Sequence, residues 1–259
     1  IITARGAIGM IPMVSGNWKM HKSIKESADC VKAVRDKIPS SAEQITGITG
    51  QDICLPAMLE AAKGSDLKIG AENCYYEDSG PYTGETSPLT LAEAGVDLVI
   101  IGHSIRRSNF NDTDELINKK IKGALRNGLT PIVCCDETMT QSMAGGKLHW
   151  VVKPILTDLD GLSKEDVKKI NLAYEPSWAI GTGHSASPDE AEEGCFMLRK
   201  TVADMFDNET ADSVRVLYGG SITPANYPQL ISQRDINGAL IGGSSLDVDT
   251  FIQLANANA

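Results

Sequence analysis

Short apolar runs alternate along the chain with longer stretches in which apolar and polar residues recur at helical spacing. Most of the apolar runs are continuous, which is typical of parallel strands that are buried on both faces. The pattern therefore predicts a parallel sheet built from repeated strand–helix units. The predicted strands are 11–16, 45–55, 67–71, 97–102, 130–135, 170–175, 214–219 and 238–242.

Amphipathic stretches between these runs predict helices. Segments 23–38, 114–126 and 190–206 each carry apolar residues on one side and charged residues elsewhere. The last of them has a favourable start, because Ser187 can cap the helix and Pro188 suits its first position. Eight such strand–helix units fit an α/β fold of one (β/α)₈ barrel, which takes about 250 residues.

The predicted barrel domain spans residues 11–259. Residues 1–10 lack the charged start and long apolar core of a signal peptide and form an extension whose status the sequence leaves open. A doubly wound sheet is the rival fold, but it needs a glycine-rich loop after its first strand, where Asn17, Trp18 and Lys19 stand here. A loose dinucleotide pattern at 181–186 does not directly follow a strand, as that fingerprint requires.

The amino-acid composition argues against some classes of binding partner. The chain has 34 Asp and Glu residues but only 24 Lys and Arg residues, so its formal net charge is −10. A nucleic-acid partner needs a basic surface, and a membrane span needs a long apolar run, so neither partner is expected. We expect the cytoplasm as location. The six cysteines form no C-x-x-C pair and the four histidines share no ligand spacing, so no metal site is expected.

A carboxylate closes the sixth predicted strand. Glu175 ends an apolar run, and Pro176 prevents the strand from continuing smoothly. The segment that follows ends in Gly181 and Gly183, which can absorb large backbone changes, as in a lid. We interpret Glu175 as a base that abstracts a proton under a segment that excludes water.

Polar residues follow two other strands. His103 comes just after the fourth strand, and barrel active sites gather at such strand ends. Asn17 and Lys19 follow the first strand and alternate along an extended segment, so both can face the barrel mouth. In an acidic protein, a lysine there offsets the repulsion of an anionic substrate.

Glycine-rich turns follow the last two strands. Gly219 and Gly220 precede Ser221, and Gly242 and Gly243 follow the eighth strand. Glycines let backbone N–H groups approach an anion closely, and the loops after strands seven and eight are a common phosphate site in barrels. The two turns together predict a phosphate-binding site.

The order and spacing of these motifs resemble the triosephosphate isomerase family from about residue 11 to residue 259. The matching segments are 16–20, 101–104, 174–176, 178–183, 218–222 and 241–243. The resemblance implies a cofactor-free enzyme that interconverts dihydroxyacetone phosphate and D-glyceraldehyde 3-phosphate. A glutamate base beside a neutral imidazole is the known pairing of that family.

The resemblance also implies roles for single residues. Glu175 would move the proton between two carbons, and His103 would polarise the carbonyl and carry protons between the oxygens. Lys19 and Asn17 would stabilise the enediolate. Backbone N–H groups would hold the phosphate, at Gly181, Ser221, Gly242 and Gly243. The third loop, with Thr83 at its tip, would reach into a second copy, so that a homodimer is expected.

One departure from the family leaves alternatives open. Ile105 stands where the family usually has a glutamate close to the lysine. We therefore expect a lower turnover than is typical. An isomerase of a longer phosphorylated ketose, such as a tetrulose phosphate, and a barrel that binds ligands without efficient catalysis are the two alternatives. The presence of Glu175, His103, Lys19 and Asn17 favours the triose enzyme.

Overall fold

Eight parallel strands close into a barrel in the order in which they occur along the chain. A computed structural model describes residues 10–138, 141, 143, 151–179 and 185–257. Within these residues the predicted (β/α)₈ barrel is confirmed. The strands are β1 Met13–Asn17, β2 Ile45–Gly50, β3 Lys68–Ala71, β4 Leu98–Ile101, β5 Thr130–Glu137, β6 Asn171–Pro176, β7 Arg215–Tyr218 and β8 Gly238–Ile241.

Helices surround the strands. The described helices are α1 Ile24–Val34, α2 Leu55–Ala62, α3 Pro88–Ala94, α4 Ser104–Phe110, α5 Asp114–Arg126, α6 Lys153–Asp158, α7 Lys164–Val167, α8 Pro188–Met205, α9 Asn208–Ser213, α10 Tyr227–Ile231 and α11 Val248–Ala255. In the described part of the chain, no helix combines the length and apolar character that crossing a bilayer would need.

Local sequence signals explain several element boundaries. The predicted second strand, 45–55, is too long, because the chain leaves β2 at Gly50 and forms a 3₁₀ turn, Asp52–Cys54, that leads into α2. Ser187 caps α8 as predicted, and Glu190 completes a capping box by bonding back to the Ser187 N–H at 2.8 Å. The bounds of α5 agree with the predicted segment.

The barrel interior is filled by side chains. A small core inside the barrel contains Met13, Leu98, Ile100, Ile132, Cys134, Ala173, Leu217 and Leu240. Gly47 and Gly70 leave room for Leu98. A Cβ added at Gly47 would lie 2.6 Å from Leu98 Cδ1, and one added at Gly70 would lie 2.9 Å from Leu98 Cβ. A larger apolar core lies between the strands and the helices. The carboxyl ends of the strands thus rest on a rigid, close-packed base.

Candidate active site

The predicted site residues that the structure describes lie together at the carboxyl end of the barrel. Asn17 is the last residue of β1, Glu175 lies near the end of β6, and His103 follows β4 by two residues. One cavity of about 320 Å³ is lined by these three residues and by Lys19, Gly219, Gly220, Ser221, Gly242, Gly243 and Ser244. Gly181 lies outside the described residues.

The Glu175 carboxylate accepts one backbone hydrogen bond and lies close to the imidazole of His103. Its Oε1 lies 3.1 Å from Nε2 of His103, and its Oε2 accepts the backbone N–H of Ser104 at 2.9 Å. The side chain is only 1% exposed, and the His103 side chain is 9% exposed. The carboxylate is therefore fixed in a dry position at the floor of the cavity.

The backbone of α4 sets the protonation pattern of the imidazole. His103 is the N-cap residue of α4, and its Nδ1 accepts the backbone N–H of Ile105 at 3.2 Å. A nitrogen that accepts a hydrogen bond carries no proton, so the ring is the neutral tautomer with its proton on Nε2. The His103 side chain lines the cavity, where the Nε2 proton can polarise a carbonyl oxygen.

A strained turn after β1 presents the lysine. Lys19 has a φ of 53°, a left-handed conformation that is uncommon for residues other than glycine. Asn17 supports this turn, because its Oδ1 accepts the Lys19 N–H at 3.1 Å. The ammonium crosses the cavity mouth to the loop after β8, where a Cβ added to Gly242 would lie 3.6 Å from Nζ. Such strain is typical of functional sites.

The two glycine turns border the same cavity. Gly243 begins a short 3₁₀ helix, Gly243–Ser245, whose first N–H groups have no acceptor within the helix. A Cβ added to Gly243 would meet no atom within 4 Å, so the backbone there is open to an approaching anion. Gly219 instead lies against the base, because an added Cβ would come within 3.0 Å of Glu175 Cγ.

Buried groups around the base make its surroundings poorly hydrated. Burial and the charge of Glu175 raise the pKa of the Cys134 thiol, so this cysteine stays neutral. Burial also raises the pKa of Asp136, while Arg107 opposes that shift. One residue before Glu175, the Tyr174 hydroxyl donates to Glu137 Oε2 at 2.6 Å. Poorly hydrated surroundings of low dielectric strengthen the electrostatic interactions of the base.

One acidic residue of this region was not singled out from the sequence. Glu72 immediately follows β3, is half-buried, and lines a second cavity together with Asn17 and Lys19. Its position in the sequence could have identified Glu72, because an acid directly after an apolar strand lies at the same barrel rim as Glu175. Among the described residues, no cluster of three or more His, Cys, Asp or Glu side chains could hold a metal ion.

A (β/α)₈ barrel whose mouth gathers a glutamate, an imidazole and a lysine around one cavity defines a barrel enzyme with an acid–base site. The sequence model described as "Triosephosphate isomerase" matches residues 12–258. The chain therefore belongs to the triosephosphate isomerase family, as the sequence motifs predicted.

Similar proteins agree with this assignment. A protein named triosephosphate isomerase from Ligilactobacillus salivarius is 52% identical over 245 residues, which cover 95% of this chain and 98% of that protein. Proteins of the same name from Lactobacillus helveticus and Lactobacillus delbrueckii subsp. lactis are 51% and 50% identical, and each alignment covers 95% of this chain and 97% of the relative.

Proposed function

We propose that the chain is a triose-phosphate isomerase, which interconverts dihydroxyacetone phosphate and D-glyceraldehyde 3-phosphate through an enediolate. One observation carries the proposal: a buried carboxylate lies 3.1 Å from the Nε2 of a neutral imidazole, in a cavity that also holds a lysine and two glycine turns. The family membership of the chain supports the same reaction.

Glu175 acts as the base. Its carboxylate takes a proton from the hydroxymethyl carbon of the ketone, and the electron pair of that C–H bond forms the carbon–carbon double bond of the enediolate. The carbonyl oxygen takes up the negative charge. Glu175 then returns the proton to the neighbouring carbon, which gives the aldehyde with no net change in atoms. A positioned base of this kind contributes about 10²- to 10⁴-fold in rate.

The remaining side chains stabilise the developing charge. The Nε2–H of His103 donates to the oxygen that becomes negative and moves a proton between the two oxygens. Lys19 and Asn17 lie on the same cavity wall and provide an ammonium and an amide for the enediolate. These groups are fixed before the substrate arrives, so little reorganisation is needed during the reaction.

The glycine turns hold the phosphate. We assign this role to the backbone N–H groups of Ser221, Gly242 and Gly243, together with that of Gly181, which lies outside the described residues. The start of a 3₁₀ helix at Gly243 supports the assignment, because helix starts favour anions. The segment after Pro176 would close over the intermediate and keep it from losing its phosphate to water.

A turnover assay tests this function. The wild-type chain and the Glu175→Gln variant are assayed with dihydroxyacetone phosphate, D-glyceraldehyde 3-phosphate and a tetrulose phosphate. We expect turnover of both trioses and a loss of about 10³-fold in kcat in the variant, which keeps the shape of the side chain but has no basic carboxylate. A preference of the wild type for the four-carbon sugar, or no turnover of any sugar, would overturn the proposal.

We infer that the enzyme works as a homodimer. Three large apolar side chains near the barrel mouth are exposed: Met20 by 83%, Ile53 by 71% and Phe110 by 62%. They line the second cavity, of about 600 Å³, next to Asn17 and His103. An apolar patch of this kind is typical of a protein interface.

We expect the third loop of another copy to cover this apolar patch. It connects β3 with α3, carries the exposed Thr83, and is stiffened by packed rings of Tyr75, Tyr76 and Tyr82. We propose that Thr83 enters the second cavity of another copy and touches its Asn17 and His103. Light scattering in dilute solution is expected to give twice the chain mass of 27.7 kDa. A monomer of full activity would contradict this inference. We still expect the protein in the cytoplasm. We also expect it to have no nucleic-acid partner.

A further inference from the structure

A poorly exposed arginine lies behind the loop that carries the imidazole. Arg107 is part of α4, and its side chain is only 12% exposed. It is not among the residues that line the active-site cavity, so it has no part in the chemical steps proposed above. A buried cation is stable only where it is paired and hydrogen-bonded. The contacts of Arg107 therefore indicate which parts of the barrel it holds in place.

The guanidinium bridges two neighbouring strands. Nε of Arg107 donates to the Gly102 carbonyl at 2.7 Å, and Nη2 donates to the Cys134 carbonyl at 2.9 Å. The pairing of β4 with β5 ends at Ile101 and Val133, one residue before each of these carbonyls. The arginine therefore extends the connection between the two strands beyond their last paired residues, to the point where the loop after β4 begins.

The Gly102 carbonyl belongs to the peptide unit that leads into His103. Because that unit is planar, a donor that fixes the carbonyl oxygen also fixes the nitrogen of His103. Gly102 has a φ of 74°, in the left-handed region that glycine adopts readily, and glycine restricts its own backbone less than any other residue. The hydrogen bond from Arg107 thus limits rotation at the residue where the chain itself limits it least.

Acids from three elements hold the guanidinium in turn. Asp158, the fully buried last residue of α6, accepts from Nη2 at 2.9 Å, and Asp114 at the start of α5 accepts from Nη1. Asp136 on β5 lies 3.9 Å from Nε through its Oδ1. The planar fork of an arginine suits several acceptors at once, whereas the ammonium of a lysine acts as a point charge. The place of the Gly102 carbonyl is therefore set by β5, α5 and α6 together.

We propose that Arg107 is a positioning residue for the imidazole, which holds the loop after β4 so that His103 keeps its place beside the base. This inference rests on the proposed isomerase function. The two groups that follow Gly102 are the ones next to Glu175: His103 Nε2 lies 3.1 Å and the Ser104 nitrogen 2.9 Å from its carboxylate oxygens. A displacement of the Gly102 peptide unit therefore moves both groups, and about 1 Å costs about 10²-fold in rate.

Replacing the fork by a point charge tests the proposal. Arg107→Lys keeps the positive charge among the acids but cannot reproduce the paired hydrogen bonds to the two carbonyls. With D-glyceraldehyde 3-phosphate, we expect kcat to fall by about 10- to 100-fold and KM to stay within about threefold of the wild-type value. Nitrogen NMR of labelled histidine should show a mixture of neutral tautomers for His103 instead of one, because the contact between Nδ1 and the Ile105 N–H loosens.

A second buried arginine provides a matched control. Arg199 on α8 donates to the Asp235 carboxylate at 2.6 Å and to the carbonyls of Ala211 and Val214 at 2.7 and 3.0 Å. Asp235 comes just before β8, so this cluster lies at the amino ends of the strands, away from the active site. Both substitutions by lysine should lower the melting temperature, but Arg199→Lys should keep the wild-type kcat and the single tautomer.

The outcomes separate this inference from the proposed function. Absence of turnover in the wild type removes both. Normal turnover in the wild type overturns the inference alone if kcat of Arg107→Lys falls by less than about tenfold, or if KM changes in place of kcat. An equal fall of kcat in Arg199→Lys also overturns it, because that result indicates a general loss of stability.

A milder variant decides the question if Arg107→Lys does not fold. Asp114→Asn weakens one partner of the guanidinium, and the Asp114 side chain is partly exposed, so little buried charge is left unpaired. A fall in kcat of about threefold or more at unchanged KM supports the proposal, and a smaller fall overturns it.

Discussion

Shortening the base by one methylene is the sharpest test of the active-site geometry. Glu175→Asp keeps the charge and the acid–base chemistry but withdraws the carboxylate by about 1.5 Å, one carbon–carbon bond. The separation from His103 Nε2, now 3.1 Å, would grow to about 4.5 Å, so the two groups would no longer be in contact. The contact with the Ser104 N–H, now 2.9 Å, would be lost in the same way.

The expected loss follows from this displacement. A misplacement of about 1 Å costs about 10²-fold in rate when the reacting groups must meet at contact distance. The larger retreat and the lost support from Ser104 predict a fall in kcat of about 10²- to 10³-fold, or about 3–4 kcal/mol in the activation barrier. KM should change by less than about threefold, because we assign phosphate binding to the loops after β7 and β8 rather than to Glu175.

Steady-state kinetics in both directions provide the assay. kcat is the decisive quantity, since a diffusion limit on kcat/KM can hide a slower chemical step. Glu192→Asp shortens a half-buried glutamate at the other end of the barrel and should leave kcat unchanged. Circular dichroism and a melting curve establish that both variants are folded. A fall in kcat of less than about tenfold in folded Glu175→Asp would show that this carboxylate does not remove the proton from the position seen here.

Two further substitutions test the surroundings of the site and the frame of the barrel. Ile105→Glu restores a carboxylate beside Lys19 and should raise kcat/KM by about threefold or more; unchanged steady-state kinetics would refute that expectation. Gly238→Ala places a Cβ 1.8 Å from the Met13 carbonyl oxygen at a φ of 150°, where β8 meets β1. Strain and overpacking together should lower the free energy of unfolding by about 2–5 kcal/mol in urea titrations. Gly243→Ala, whose Cβ meets no atom within 4 Å, is the stability control and should unfold at the wild-type urea concentration.

The strand pattern and the barrel were accessible from the sequence because parallel strands buried on both faces leave continuous apolar runs. Glu175 and His103 could be recognised for a related reason. Each is a polar residue at the end of such a run, and the barrel topology brings all strand ends to one rim. The roles of single residues beyond that came from the resemblance to the family.

Other features depend on three-dimensional contacts that no local pattern encodes. The helix α4 was not predicted, because its start is capped by an imidazole rather than by one of the usual short polar side chains. The left-handed turn at Lys19 depends on support from Asn17, and the sequence shows no glycine there. Glu72 and Lys19 line one cavity only because β3 and the turn after β1 meet at the same rim, since the two residues are 53 positions apart in the chain.

The cap at His103 ties chemical competence to the integrity of one helical turn. The Nδ1 lone pair that accepts the Ile105 N–H at the start of α4 also leaves the ring proton to Nε2, so one hydrogen bond fixes both the helix start and the tautomer. A chain in which α4 has not yet wound lacks the correctly aimed proton donor. Loss of this one turn would therefore remove the donor without removing His103 itself.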